Sequence, residues 1–161
     1  EGLEVEETGT TFAANARIKA LAVAQATGQW ALADDSGLSV SALNGAPGVH
    51  SARYAPTDPA RIEKLLAALL NCPQRGAYFS AALCVAAPDG QVLLEVEGRC
   101  EGQITKAPRG DQGFGYDPIF EVNKTGRTFA EMVLAEKKSY GHRGRAFSLL
   151  EPLLKKLISV N

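Results

Sequence analysis

Histidine and cysteine are the scarce residues of this 161-residue chain: His50 and His142 on one side, Cys72, Cys84 and Cys100 on the other. Three widely spaced thiols, odd in number and without metal-ligand spacing, make no disulfide framework. They are expected to be reduced, small buried hydrophobes of a cytoplasmic protein. With two histidines, a His/Cys zinc site is not expected either. An excess of one charge is also missing, since 17 Lys+Arg face 18 Asp+Glu for a net charge of −1. That balance excludes a general electrostatic grip on nucleic acid or an anionic membrane, which needs a whole face of cations. No run approaches the roughly 20 apolar residues of a membrane-spanning helix. A signal-peptide pattern is absent, although the chain opens on Glu1 rather than methionine. Internal repeats, low-complexity tracts and linkers are lacking too, so residues 1–161 read as a single domain.

What is present is an ordinary globular composition, 45% hydrophobic and 22% charged, enough for one sizeable core. An Ala-rich stretch from Thr11 to Thr27, stopped by Gly28, predicts a helix. Trp30 to Ala33 predicts a short buried strand running into a turn at Asp34-Asp35-Ser36-Gly37, after which Leu38, Val40 and Ala42 alternate as in a half-buried strand. Asp58, with Pro59 behind it, predicts the cap of a helix whose apolar stripe is Ile62, Leu65, Leu66, Leu69 and Leu70. Tyr78 to Ala87 and Gln91 to Arg99 predict a hairpin closed at Pro88-Asp89-Gly90. A glycine-punctuated segment follows, then a short helix after Thr128 and a last helix with Leu149, Leu150, Leu153, Leu154, Leu157 and Ile158 in helical spacing. Pro152 lies inside that helix and predicts a kink or a break. Interleaved strands and helices with an antiparallel hairpin predict an α/β fold on a mixed sheet.

Three short segments are more polar than their elements require. Glu6-Glu7 precedes the first helix, and Asn15 and Lys19, four apart within it, share a face with Phe12. The adjacent Asp34 and Asp35 would suit Mg²⁺, which prefers hard oxygen ligands, and repulsion between them could raise one pKa to make a base. The same residues also fit an Asp-rich turn bonding to its own backbone. Late in the chain, Lys137, Lys138, His142, Arg143 and Arg145 fall within nine positions. They fit either a solvated basic face or a ligand's anionic groups, with Gly141 and Gly144 thinning the side chains so that a planar ligand can approach. Together the segments point to a Mg²⁺-dependent phosphate-ester site assembled from distant parts of the chain.

These residues resemble the inosine/xanthosine triphosphate pyrophosphatase family, house-cleaning enzymes that remove deaminated purine nucleotides. The matching blocks run from Glu6 through Lys19-Ala20, Ala33 to Leu38, Gly45 to Tyr54, Gly113 to Phe120, and Glu136-Lys137 with His142-Arg143-Gly144. All five stand in the family's order. The resemblance implies an elongated α/β molecule, a long mixed sheet flanked by helices, and a nucleotide cleft between two lobes, usually paired as a homodimer. It implies hydrolysis of ITP, dITP and XTP to monophosphate and pyrophosphate with Mg²⁺. By that resemblance Glu7 and Asp35 bind the metal, Asp35 is the proton acceptor with Asp34 the alternative, and Lys19 serves catalysis at the phosphates. Ser36 and Asn15 match further substrate-side positions, while Phe114, Gly115, Tyr116, Asp117, Lys137, His142 and Arg143 match nucleoside-binding ones. Of the two aromatics, Phe114 is expected to be the one packed under the glycine turns. Two departures accompany the match. The family's N-terminal strand and phosphate loop are not found before Glu6, which admits a catalytically impaired nucleotide-binding or dimer-forming fragment, and Gly141 stands where serine is common. A septum-formation-type pyrophosphatase is the further alternative, against which the His142-Arg143 pair argues.

Overall fold

A computed structural model describes residues 5–160. Helix α1 spans Phe12–Thr27, with the Thr11 side chain accepting from the Ala14 amide and Gly28 closing the helix in a left-handed conformation at φ 68°. Strand β1 follows at Ala31–Val40, and short 3-10 turns at Ser41–Leu43 and Gly48–Arg53 lead to α2 at Asp58–Ala68. Strands β2 (Gly76–Ala86) and β3 (Val92–Ile104) form the long hairpin, β4 (Phe120–Val122) is brief, and α3 (Leu134–Tyr140) and α4 (His142–Val160) end the described chain. The sheet has the order β1-β2-β3-β4. Helices flank it as the α/β reading requires, but every pairing among the described residues is antiparallel where a mixed sheet was expected. The N-terminal boundary expected for the domain lies outside the described residues.

Small side chains set the layers. Ala16, Ala20 and Ala24 let α1 lie close over Ala31 of β1 and Ala82, Cys84 and Ala86 of β2. On the opposite face, Ala146 and Leu150 of α4 cover Ala81, Leu83 and Val85 of β2. Toward the other end of the sheet a larger core gathers Leu38, Val40 and Phe79 with Leu65 and Leu69 of α2 and with Ile119, Phe120, Phe129 and Met132. The sheet therefore joins two lobes, and a cleft of about 890 Å³ opens between the α2 side and the α3–α4 side.

Three expectations are corrected. Asp34 to Gly37 do not form a turn, because they pair with Leu83 to Ser80 and continue β1 without a break. The ladder to an eleven-residue neighbour outweighs the local turn preference of Asp, Ser and Gly. The α2 cap is Thr57, which accepts from the Ala60 amide, and Asp58 is the first helical residue. Helix α4 continues through Pro152, so of the kink or break expected there the break does not occur. Proline there removes the donor that Ser148 would accept, but Ser148 is exposed, so water can take that carbonyl.

Candidate active site

Strand alternation places the two adjacent aspartates on opposite faces of the sheet. Asp35 points to the α1 face, where Lys19 Nζ lies 3.7 Å from Asp35 Oδ1 and 3.4 Å from Glu7 Oε1. Asp34 points to the α4 face, 3.8 Å from Arg143 Nη2. Their mutual repulsion is therefore not the source of unusual chemistry. Burial raises the pKa of Asp35, Lys19 pulls it down, and Glu7 pushes it up again. Among the described residues, Asp35 Oδ2 is buried without a hydrogen-bond partner.

Asn15, fully buried, organises this patch from below: its Oδ1 accepts from the Gly9 amide at 2.7 Å and fixes the segment that carries Glu7. Such a residue shapes the site without reaching its surface. The orphaned Asp35 oxygen and the neighbouring Glu7 are hard oxygen donors that fit Mg²⁺. Among the described residues no group of three or more His, Cys, Asp or Glu side chains is placed to hold a metal, so such an ion would complete its shell with water and ligand oxygens.

The cleft occupies the other face. Ser36, Asp117, Lys137, His142 and Arg143 line it together with Phe114 to Tyr116. Arg143 Nη2 donates to Ser36 Oγ at 3.0 Å, so the cleft and the carboxylate patch meet across one strand. The aromatic roles are reversed from expectation. Phe114 is 62% exposed, whereas Tyr116 is buried and its hydroxyl donates to the Ser51 carbonyl at 2.7 Å. Lys137 Nζ sits 4.4 Å from the Phe114 ring centroid and donates to Asp117 Oδ2 at 2.5 Å. Asp117 Oδ2 also accepts from the Phe114 amide at 3.1 Å, which holds the turn. Gly113 and Gly115 need their positive φ of 75° and 61° for that turn.

His142 stacks on Phe79 at 4.8 Å, and burial, reinforced by Arg143 and Lys137, lowers its pKa to about 3. The imidazole is neutral. Gly141 and Gly144 are explained by packing: Cβ atoms there would run into the Lys137 and Lys138 carbonyls where α3 meets α4. Arg145 turns away from the cleft and donates to the Arg99 carbonyl at 2.9 Å. Cleft residues without a site role in the sequence reading include Asp58, Arg61, Phe79 and Phe147. Asp58 carried a signal, but one that read as helix capping. All three cysteines are free, and burial pushes the Cys84 and Cys100 thiols up to about 11.

The sequence pattern of the Ham1 family matches residues 1–153. The chain is 75% identical over 159 residues to the dITP/XTP pyrophosphatase of Parasynechococcus marenigrum (strain WH8102), covering 99% of this chain and 82% of that protein. It is 68% identical over 156 residues to the dITP/XTP pyrophosphatase of Prochlorococcus marinus (strain MIT 9313), covering 97% of this chain and 77% of the relative. Among solved structures, the Staphylococcus aureus Ham1 protein superposes with a TM-score of 0.92 at 43% identity, over 96% of this chain and 82% of that one. A Coxiella burnetii HAM1 protein gives 0.91 at 46% identity, over 96% of this chain and 81% of that one. Matched over residues 1–153 and sharing three quarters of its residues with one relative, the chain belongs to the Ham1 family.

Proposed function

We propose that the chain hydrolyses deaminated purine nucleoside triphosphates, namely ITP, dITP and XTP, to the monophosphate and pyrophosphate. The observation that carries this reading is the split of β1. One face presents Asp35, Glu7 and Lys19 to a phosphate tail, and the other presents Ser36 and Arg143 beside an exposed ring suited to a base. The names of the relatives support the same substrate class.

Lys19 supplies a positive charge against the tail's oxygens. Asp35 accepts the proton of the attacking water, because burial makes its carboxylate more basic while Lys19 keeps it chargeable. Asp34 faces Arg143 and takes no part in that transfer. Mg²⁺ held by Glu7 and Asp35 would supply neutralisation of the developing phosphate charge. At the head, the base stacks on Phe114, and Arg143 donates to the carbonyl oxygen that hypoxanthine and xanthine carry where adenine has an amino group. His142 assists as a neutral hydrogen-bonding group. Adenine leaves those donors unmade, which discriminates strongly in a closed site. Asn15, Tyr116 and Asp117 hold the surrounding backbone.

A homodimer of the cytoplasm completes the proposal. Its support is the exposed pair Leu149 and Leu153, one turn apart on α4, and the free thiols. The substrate reading is tested by pyrophosphate release from dITP, XTP and dATP with and without Mg²⁺. Release from dITP and XTP that needs the ion is expected; equal rates on dATP would remove the base selectivity.

A further inference from the structure

Phe114 projects from the turn between Gly113 and Asp117, and an exposed ring flanked by two glycines grips a base well only if the turn is fixed. One tether lies within the turn itself, where Asp117 accepts from the Phe114 amide, and a second runs from the Tyr116 hydroxyl to the Ser51 carbonyl in the Gly48–Arg53 segment. The third comes from α2, next to the turn. Asp58 Oδ2, in the first turn of α2, accepts from the Gly115 amide at 2.9 Å across 57 residues of chain. Its other oxygen takes Arg61 Nη1 at 2.6 Å, which fixes the carboxylate's orientation. Helix capping does not require this carboxylate, since the Thr57 side chain already caps α2.

We infer that Asp58 is a positioning residue: through Gly115 it sets the placement of the Phe114 ring and so the affinity of the cleft for the purine base. The inference rests on the reading of this cleft as the base site. Asp58 acts on the head of the substrate and not on the tail, because among the described residues its carboxylate bonds to the turn and to Arg61 and to nothing in the Asp35–Lys19 patch.

The test compares Asp58→Ala and Asp58→Asn with the wild-type chain, using backbone amide exchange at Gly115, steady-state hydrolysis of dITP, and inhibition by pyrophosphate. The half-exposed bond is worth about 1 kcal/mol, a factor of about five. In Asp58→Ala, Gly115 exchange and the KM for dITP should therefore each rise about fivefold, with kcat changing much less and pyrophosphate inhibition unaltered. Asp58→Asn retains a carbonyl acceptor for Gly115 and should recover most of the affinity. Unchanged Gly115 exchange overturns the inference, as does a KM loss equal in both variants or weaker pyrophosphate binding in step with KM. If the wild-type chain releases no pyrophosphate from dITP, the substrate reading fails, while the Gly115 exchange comparison still decides whether Asp58 tethers the turn.

Discussion

Asp34 and Asp35 are chemically identical neighbours that meet different worlds. Asp35 is buried against Glu7 and Lys19, and Asp34 is half-exposed opposite Arg143. Replacing Asp35 by Asn should lower kcat for dITP by a factor on the order of 10²–10⁴, whereas Asp34→Asn should retain turnover. The raised pKa of Asp35 also fixes two signs. Because the acceptor must be ionised and a bound dication opposes its protonation, the acid limb of the pH–rate profile should move to lower pH as Mg²⁺ is raised. Because the folded state favours its protonated form, the ionised carboxylate weakens the fold above that pKa and ceases to do so as pH falls. Asp35→Asn should accordingly unfold at a denaturant concentration no lower than the wild-type chain. His142 behaves in the opposite sense. Its folded pKa of about 3 lies below the ordinary 6.5, so its contribution to stability is complete above pH 6.5 and is lost as pH falls toward 3. Between pH 6.5 and 5 the wild-type chain should lose about 2 kcal/mol more stability than His142→Gln, read from urea midpoints. Equal losses would show that the imidazole is not held neutral. For Phe114, removal of the ring in Phe114→Ala should cost about 1–3 kcal/mol of base stacking, seen as a rise in KM for dITP that Phe114→Tyr largely restores.

At the scale of elements, α4 is the part that carries Arg143 to β1, and glycine sets its approach. A Cβ on Gly98 would stand 2.5 Å from the Ala146 amide nitrogen, so β3 and α4 meet backbone to backbone there. Gly98→Ala should cost on the order of 1–3 kcal/mol in unfolding free energy and raise the KM for dITP, since the helix must shift with its arginine. Much of this element structure was legible in the sequence. Thr11 and Gly28 bracket α1 because capping chemistry is local, and Pro88-Asp89-Gly90 marks the β2–β3 hairpin for the same reason. The Asp34–Gly37 strand was not legible, because its conformation depends on β2, more than forty residues downstream. Phe114 and Tyr116 were exchanged for a similar reason. Which ring is buried depends on the Ser51 carbonyl, and no spacing rule reports that partner. The cluster from Lys137 to Arg145 was legible as charge but not as direction, since one arginine reaches Ser36 and the other the Arg99 carbonyl.

Across the whole molecule, the account requires one ligand to use both faces of β1, its tail beside α1 and its base in the cleft between the lobes. The first, second and last sequence blocks meet at that strand, since α1 packs over it on one face and Arg143, at the start of the α4 that covers β2, reaches Ser36 on the other. The position of each end of the ligand is therefore the central claim. It is tested most directly by a crystal structure of Asp35→Asn with dITP and Mg²⁺. The expected density has hypoxanthine stacked on Phe114 within reach of Arg143, and the triphosphate crossing Ser36 to Lys19 and Glu7. A nucleotide whose phosphates stay on the α4 face, far from Lys19, would contradict the account.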